Sequence, residues 1–267
     1  MSEFAAHHLR RHILNMAYAG STVHIACAFS IVEILAVLYR NHLRFADDDT
    51  AKNRDYLVLS KGHGVMAQYA CLHELGRLSA TDLEQYFSDG THLKGLSDAH
   101  VPGLEVSSGS LGHGLSVGVG LALAAKRNRT DQWCYAIVGD GEMNEGSIWE
   151  ALLFSKHQRL GNLMVIVDEN GFQAMGRTED VLELGDLGRK LEAFGFLIEC
   201  VDGHDESALQ AALLRLKAGD ADIPKALIAQ TVKGKGVSFM EADNRWHYTR
   251  LNSETYQQAL LELELHA

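Results

Sequence analysis

Within residues 134–153, CYAIVGDGEMNEGSIWEALL, a single carboxylate, Asp140, stands between Gly139 and Gly141 where an apolar run gives way to a helical pattern. A second apolar run ends thirty residues beyond Asp140, in Asp168-Glu169-Asn170. A carboxylate and a side-chain amide oxygen are hard donors of the kind that Mg²⁺ or Ca²⁺ accepts, and Mg²⁺ completes its shell with water and phosphate oxygens. The two glycines allow close backbone approach, and a helix starting near Asn144 favours negative charge at its N-terminus. Such an assembly suits a diphosphate held through a metal. A dinucleotide fingerprint fails, because Asn144 stands where the third glycine is needed and Asp140 would face the pyrophosphate without a cation. A nucleotide P-loop fails as well, for want of Gly-x4-Gly-Lys-Ser/Thr. Asp140 as a plain cap of the following helix stays open.

These residues need elements to hold them. Residues 55–60, 133–139, 162–168, 196–202 and 225–232 are continuous apolar runs of strand length. Helical patterns lie at 63–76, 115–126, 144–158, 186–195 and 206–219, with further helices expected at 3–19, 30–43 and 254–266. Strands apolar on both faces and separated by helices predict a three-layer α/β domain with a central, mainly parallel sheet, covering 1–267 as one unit. Ligands of such sheets lie beyond the carboxyl ends of the strands. Strands joined by one helix are usually neighbours, so Asp140 and Asn170 should nearly touch.

Composition removes other classes. A net charge of −11 argues against nucleic acid as a partner. No apolar run is long enough to span a membrane, and the N-terminus lacks a secretory signal. With 25 Gly and 2 Pro there is no linker or low-complexity tract. Cys27, Cys71, Cys134 and Cys200 are widely spaced in apolar sequence, which predicts small buried hydrophobes and a reducing, cytoplasmic setting.

Gly139-Asp140-Gly141 followed by Asn170 resembles the thiamine-diphosphate signature, and the surrounding text resembles the transketolase family in particular. Residues 139–170 are similar to that family almost throughout, as are YLVLSKGHG (56–64), HVPGLEVSSGSLGHGLSVGVGLALAAK (100–126) and TVKGKGVSFME (231–241). The resemblance implies the thiamine-diphosphate-binding fold, with Mg²⁺ (Ca²⁺ as a possible substitute) bound by Asp140, Asn170 and the backbone carbonyl of Phe172. It also implies that His63 and His247 lie near the diphosphate and that Gly109 and Leu111 approach the aminopyrimidine. Gly139, Gly141 and Glu142 would contact the cofactor. His24, in the frame His-x5-Ser30-x2-Glu33, would line the substrate channel, and Glu145 and Glu150 would face the partner cofactor site. His24, His63, His247, Glu145 and Glu150 are thus the expected catalytic set.

Two departures bear on substrate. The family's Gly-His-Pro-Glu reads Gly95-Leu96-Ser97-Asp98 here, and His-Pro-Gly-Gly-Ser reads His24-Ile25-Ala26-Cys27-Ala28. Leu96 cannot make the donor-sugar hydrogen bond of the family histidine, and a hydroxyl left unpaired against it costs about 1–3 kcal/mol. Weak use of xylulose 5-phosphate is therefore expected, unless His92 or His100 stands in. Transketolases are usually more than twice as long, and sequence resembling their pyrimidine-binding half is absent. The chain thus looks like the N-terminal subunit of a split transketolase that transfers a ketol unit from a ketose donor to an aldose acceptor. It would act only with a C-terminal, pyrimidine-binding subunit, in a two-plus-two heterotetramer. A thiamine-diphosphate enzyme using a 2-oxo acid or unusual ketose is the alternative, and a non-catalytic cofactor-binding subunit is the third reading.

Overall fold

A computed structural model describes residues 4–45 and 54–265. Its strands are β1 (Tyr56–Leu59), β2 (Cys134–Gly139), β3 (Leu163–Glu169), the short pair β4 (Phe172–Gln173) and β5 (Gly176–Arg177), β6 (Leu197–Asp202) and β7 (Lys225–Gln230). The main sheet runs β1-β2-β3-β7-β6 with every neighbour parallel, while β4 and β5 form a small antiparallel hairpin. β2 and β3 pair directly, with Gly139 opposite Asp168. That register sets Asp140 and Asn170 on one edge.

The helices are α1 (Ala6–Ala19), α2 (Ile25–Phe29), α3 (Val32–Val37), α4 (Val65–Glu74), α5 (Ala80–Glu84), α6 (His113–Arg127), α7 (Gly146–His157), α8 (Thr178–Leu182), α9 (Leu187–Ala193), α10 (Glu206–Ala218) and α11 (Ser253–Leu265). Alternate residues of each central strand feed opposite cores. Tyr135, Ile137, Met164 and Ile166 enter one core with the apolar residues of α1, α3, α4 and α10. Ala136, Val138, Val165 and Val167 enter the other, with those of α6, α7 and α9. Burial on both faces is why these strands read as unbroken apolar runs.

Four expectations change. The helix expected at 30–43 is α3 followed by a wider turn at Leu38–His42, preceded by the separate α2. The helix expected at 63–76 begins with a tight turn, Gly62–Gly64, before α4. Residues 196–202 make an edge strand, β6, that is part-exposed rather than buried on both faces. Cys200 lies on β6 and is exposed, whereas Cys27, Cys71 and Cys134 are buried as expected. α5, α8 and the hairpin are too short for a periodic signal. Residues 3 and 266 of the expected terminal helices lie outside the described residues.

Long-range polar contacts lock the layers. Arg10 on α1 grips Glu33 on α3 through both oxygens, at 2.6 and 2.8 Å, and His204 Nδ1 lies 2.9 Å from the same carboxylate. Burial alone would push the Glu33 carboxyl up, but the hydrogen bond with His204 and the Arg10 charge hold it down to about 2. No helix among the described residues is long and apolar enough to cross a membrane.

The start of α6 rests directly on the end of β1. A Cβ on Gly114 would lie 2.6 Å from Ser60 Cα and 2.5 Å from Ser60 Oγ, and backbone there cannot move aside cheaply. Gly114→Ala should therefore destabilise the chain by about 1–3 kcal/mol, read as a lower urea midpoint. An unchanged midpoint would mean that the approach of α6 to β1 does not matter.

Candidate active site

The carboxyl edge of β1, β2, β3 and β7 opens into a cleft of about 320 Å³. At its floor is Asp168, the penultimate residue of β3 and fully buried. Its carboxylate accepts from Ser30 Oγ at 2.9 Å, from Asn170 Nδ2 at 2.8 Å, and from Lys61 Nζ and Thr231 Oγ1. Lys61 is equally buried and also donates to the Cys27 carbonyl at 3.1 Å. Burial opposes both charges, yet Lys61 keeps the Asp168 carboxyl low and Asp168 keeps the Lys61 ammonium high. The pair stays ionised.

Asp140 sits one residue beyond β2 and is 3% exposed. Its oxygens accept only backbone amides, Gly141 N at 2.8 Å and Gly171 N at 2.6 Å, and no cationic side chain among the described residues pairs with it. Burial first, and the Asp168 charge second, push its carboxyl up to about 7. Asn170 Oδ1 accepts from Phe172 N at 3.0 Å, which leaves that oxygen a second lone pair. Asp140, Asn170 and Phe172 all line the cleft, bringing a carboxylate short of positive charge beside an amide oxygen. This donor set fits Mg²⁺ or Ca²⁺. Gly141 has to be glycine, because a Cβ there would lie 2.6 Å from Gln173 Cβ in the hairpin. Asp140 does cap the short turn at Gly141–Asn144 through Oδ1, while Oδ2 accepts from Gly171 N.

Glu142 also lines the cleft, but its oxygens are already committed. It accepts from Ser60 Oγ at 2.5 Å, Gly112 N at 2.8 Å and Gly139 N at 3.1 Å. It therefore ties the ends of β1 and β2 to the start of α6.

Three histidines from distant segments converge above this floor. Ring centroids are 5.3 Å apart for His24 and His63, 5.0 Å for His24 and His247, and 5.7 Å for His63 and His247. His24 adopts a left-handed conformation, φ 70°, held by its amide donating to the His247 carbonyl at 3.1 Å. Lys233 Nζ donates to Asn244 Oδ1 at 2.7 Å and lies 2.9 Å from His247 Nδ1. An ammonium has only protons to offer, so Nδ1 accepts and the neutral ring carries its proton on Nε2. Burial, then the charge of Lys233, lowers the His247 pKa to about 3. Burial and the lysines lower His24 and His63 too.

Gly109, Leu111 and Gly139 line the cleft, and so does Glu145, which the resemblance instead places towards the partner cofactor site. Glu150 is exposed on α7 and outside the cleft lining. Leu96 is in the cleft wall, whereas His100 points outward against Asp98 and neither it nor His92 reaches the lining. Sequence reasoning passed over Lys61, Asp168 and Lys233, although each stands inside one of the family-like motifs. A charged residue at the end of an apolar strand was the available signal.

This geometry defines an α/β domain with a polar cleft at the carboxyl ends of a parallel sheet. Residues 5–265 match the family described as "Transketolase, thiamine diphosphate binding domain", and the chain belongs to the transketolase family. It is 38% identical to the putative uncharacterized transketolase family protein y4mO of Sinorhizobium fredii, over 96% of this chain and 92% of that protein. It is 36% identical to one subunit of the apulose-4-phosphate transketolase of Phocaeicola vulgatus, over 95% and 90%. A 6-deoxy-6-sulfo-D-fructose transketolase subunit, SqwG, of Clostridium sp. is 36% identical over 90% and 88%. Among solved structures, transketolase from Campylobacter jejuni matches with a TM-score of 0.92 at 29% identity, covering 98% of this chain and 42% of that one. Transketolase from Leishmania mexicana matches with a TM-score of 0.89 at 30% identity, covering 97% and 40%.

The raised Asp140 carboxyl makes stability depend on pH. In the unfolded chain this group ionises near its ordinary value of 3.8, whereas in the metal-free fold it holds its proton to about 7. Its contribution to stability is fully present below that lower value and is lost as pH rises towards 7. Mg²⁺ with thiamine diphosphate needs the ionised form, so their stabilising effect should grow over the same window. Thermal unfolding between pH 4 and 8, with and without them, reads this directly. A pH-independent effect of the two ligands would contradict the assignment of Asp140.

Proposed function

We propose that this chain is the thiamine-diphosphate-binding subunit of a two-polypeptide transketolase, moving a ketol unit from a ketose donor to an aldose acceptor. The observation that carries it is the buried, uncompensated Asp140 carboxylate beside Asn170, beneath three histidines. Asp140, Asn170 and the Phe172 carbonyl would hold Mg²⁺, with Ca²⁺ as a possible substitute, and His63, His247 and Gly141 would flank the diphosphate. Bound there, thiamine diphosphate supplies the thiazolium carbon that accepts the ketol unit and releases it to the acceptor.

The chain's own residues orient and exchange protons. His24, His63 and His247 have lowered pKa values and are neutral at pH 7. A neutral imidazole both donates and accepts, which suits sugar hydroxyls. His247 presents Nε2–H because Lys233 occupies Nδ1, so Lys233 is a positioning residue. Lys61, fixed by Asp168, holds a permanent positive charge beneath the anionic cofactor. Gly109 and Leu111 would approach the aminopyrimidine, and Glu145 and Glu150 would face the second cofactor site of the assembly.

The split-enzyme reading is supported by relatives that are themselves named as single subunits of transketolases, of which this chain covers 87–90%, and by its covering 40–42% of the solved transketolases. A pyrimidine-binding partner in a two-plus-two assembly follows. Four free cysteines fit a cytoplasmic setting. Leu96 favours a donor other than the common ketose phosphates. The second reading, a 2-oxo acid or unusual ketose donor, rests on that side chain.

With cofactor and Mg²⁺ supplied, the purified chain alone should show no ketol transfer, and adding the partner should restore it. In that pair xylulose 5-phosphate should be a poor donor, by roughly tenfold or more in kcat/KM for one unpaired hydroxyl, against the best member of a ketose and 2-oxo acid panel. Transfer by the lone chain would overturn the split-enzyme reading. Transfer from the 2-oxo acids alone would establish the second reading instead.

A further inference from the structure

His24 stands at the N-terminus of α2 and Cys27 follows three residues on, so their side chains share a face. The His24 amide, donating to the His247 carbonyl at 3.1 Å, ties a third group to them. One ligand atom from each of His24, Cys27 and His247 lies within 4.8 Å of the other two, and all three residues line the cofactor cleft. Cys27 Sγ is 3.7 Å from His247 Nδ1. Tetrahedral zinc, with a Zn–S bond of about 2.3 Å and a Zn–N bond of about 2.0–2.1 Å, holds such a pair about 3.6 Å apart. His24 Nδ1 is buried with no hydrogen-bond partner, an orphan that calls for an explanation. Where the family pattern His-Pro-Gly-Gly-Ser has its second glycine, this chain has Cys27, so the thiol is a departure of its own.

We propose that His24, Cys27 and His247 form a binding site for Zn²⁺, separate from the oxygen-donor site of Asp140 and Asn170. Thiolate and imidazole suit zinc, whereas Mg²⁺ takes oxygen, so the two sites select different ions. Three protein ligands leave a fourth position for water. As the metal binds, the Cys27 thiol gives its proton to solvent and ligates as thiolate. Zinc also takes the His247 Nδ1 lone pair that otherwise accepts from Lys233, and Lys233 keeps its bond to Asn244 Oδ1 at 2.7 Å. The Lys233 charge opposes the metal, but the new thiolate charge offsets it, and Lys61 is already matched by Asp168. Zinc held there withdraws His24 and His247 from sugar hydroxyls. The binding stands on its own, and only its inhibitory consequence rests on the transketolase reading.

The test is titration of the full chain with Co²⁺, a spectroscopic substitute for zinc, in the presence of excess Mg²⁺. One equivalent should produce a thiolate-to-cobalt charge-transfer band that Zn²⁺ then removes. The band should survive in Cys200→Ala, which deletes the exposed thiol, and vanish in Cys27→Ala with native circular dichroism. His24→Gln should weaken cobalt binding by roughly tenfold or more, since even an outer-shell partner is worth that much. No band in the wild-type chain, a band lost with Cys200 rather than Cys27, or unchanged affinity in His24→Gln overturns the proposal, and none of these results requires Cys27→Ala to fold. The titration needs no activity, so it judges the site even if the transketolase reading falls. In the reconstituted pair, Zn²⁺ should suppress ketol transfer by the wild type far more than by Cys27→Ala, and equal suppression of both would refute the inhibitory consequence.

Discussion

The ion pair between Lys61 and Asp168 is the contact on which the remaining geometry of the cleft depends. Neither residue has appreciable access to solvent, and removing one member of a buried pair typically costs about 3–5 kcal/mol because the other charge is left stranded. Asp168 satisfies its remaining capacity with Ser30 before α3, Thr231 after β7 and Asn170 after β3. One carboxylate thereby draws four segments to a common point at the carboxyl edge. Asn170 is oriented by this same contact: its nitrogen faces Asp168, so its oxygen is turned away.

The charges around that point are unequal in a way that suggests what is bound. Asp140, Glu142 and Glu145 line the cleft and Asp168 lies buried beneath it, against the ammonium groups of Lys61 and Lys233. Asp168 is matched by Lys61, and Glu142 is satisfied by a hydroxyl and two backbone amides. Asp140 has only amides, and burial raises its pKa rather than lowering it. A divalent cation at this carboxylate would remove the imbalance and present positive charge to a diphosphate. The two lysines have a second effect. Together with burial, the larger cause, they keep the histidines neutral and so preserve each ring as both donor and acceptor.

Much of this was legible in the sequence because apolar runs, glycine spacing and strand-end acids are local signals. β2 ending at Gly139 followed from run length, β3 ends one residue past the expected Asp168, and their adjacency followed from the single intervening helix, α7. The resemblance carried His24, His63 and His247 to one place, which spacing alone could not do. What remained hidden was non-local. That Lys61 is buried against Asp168, or that Lys233 sets the tautomer of His247, depends on crossings between segments far apart in sequence. β6 was misjudged for a related reason: the sheet order puts β7 between β3 and β6, leaving β6 at the edge despite its apolar text. Glu142 resembled a cofactor contact, yet the fold uses its oxygens to join β1, β2 and α6.

The central claim is that Asp140 and Asn170 hold a divalent cation that carries thiamine diphosphate. Calorimetric titration of the wild-type chain and of Asp140→Ala with the cofactor, with Mg²⁺ and with chelator, tests it most directly. The account predicts Mg²⁺-dependent binding to the wild-type chain and none to the variant, whose circular dichroism stays native. Equal cofactor affinity in the two proteins, or wild-type affinity that is indifferent to Mg²⁺, would contradict it.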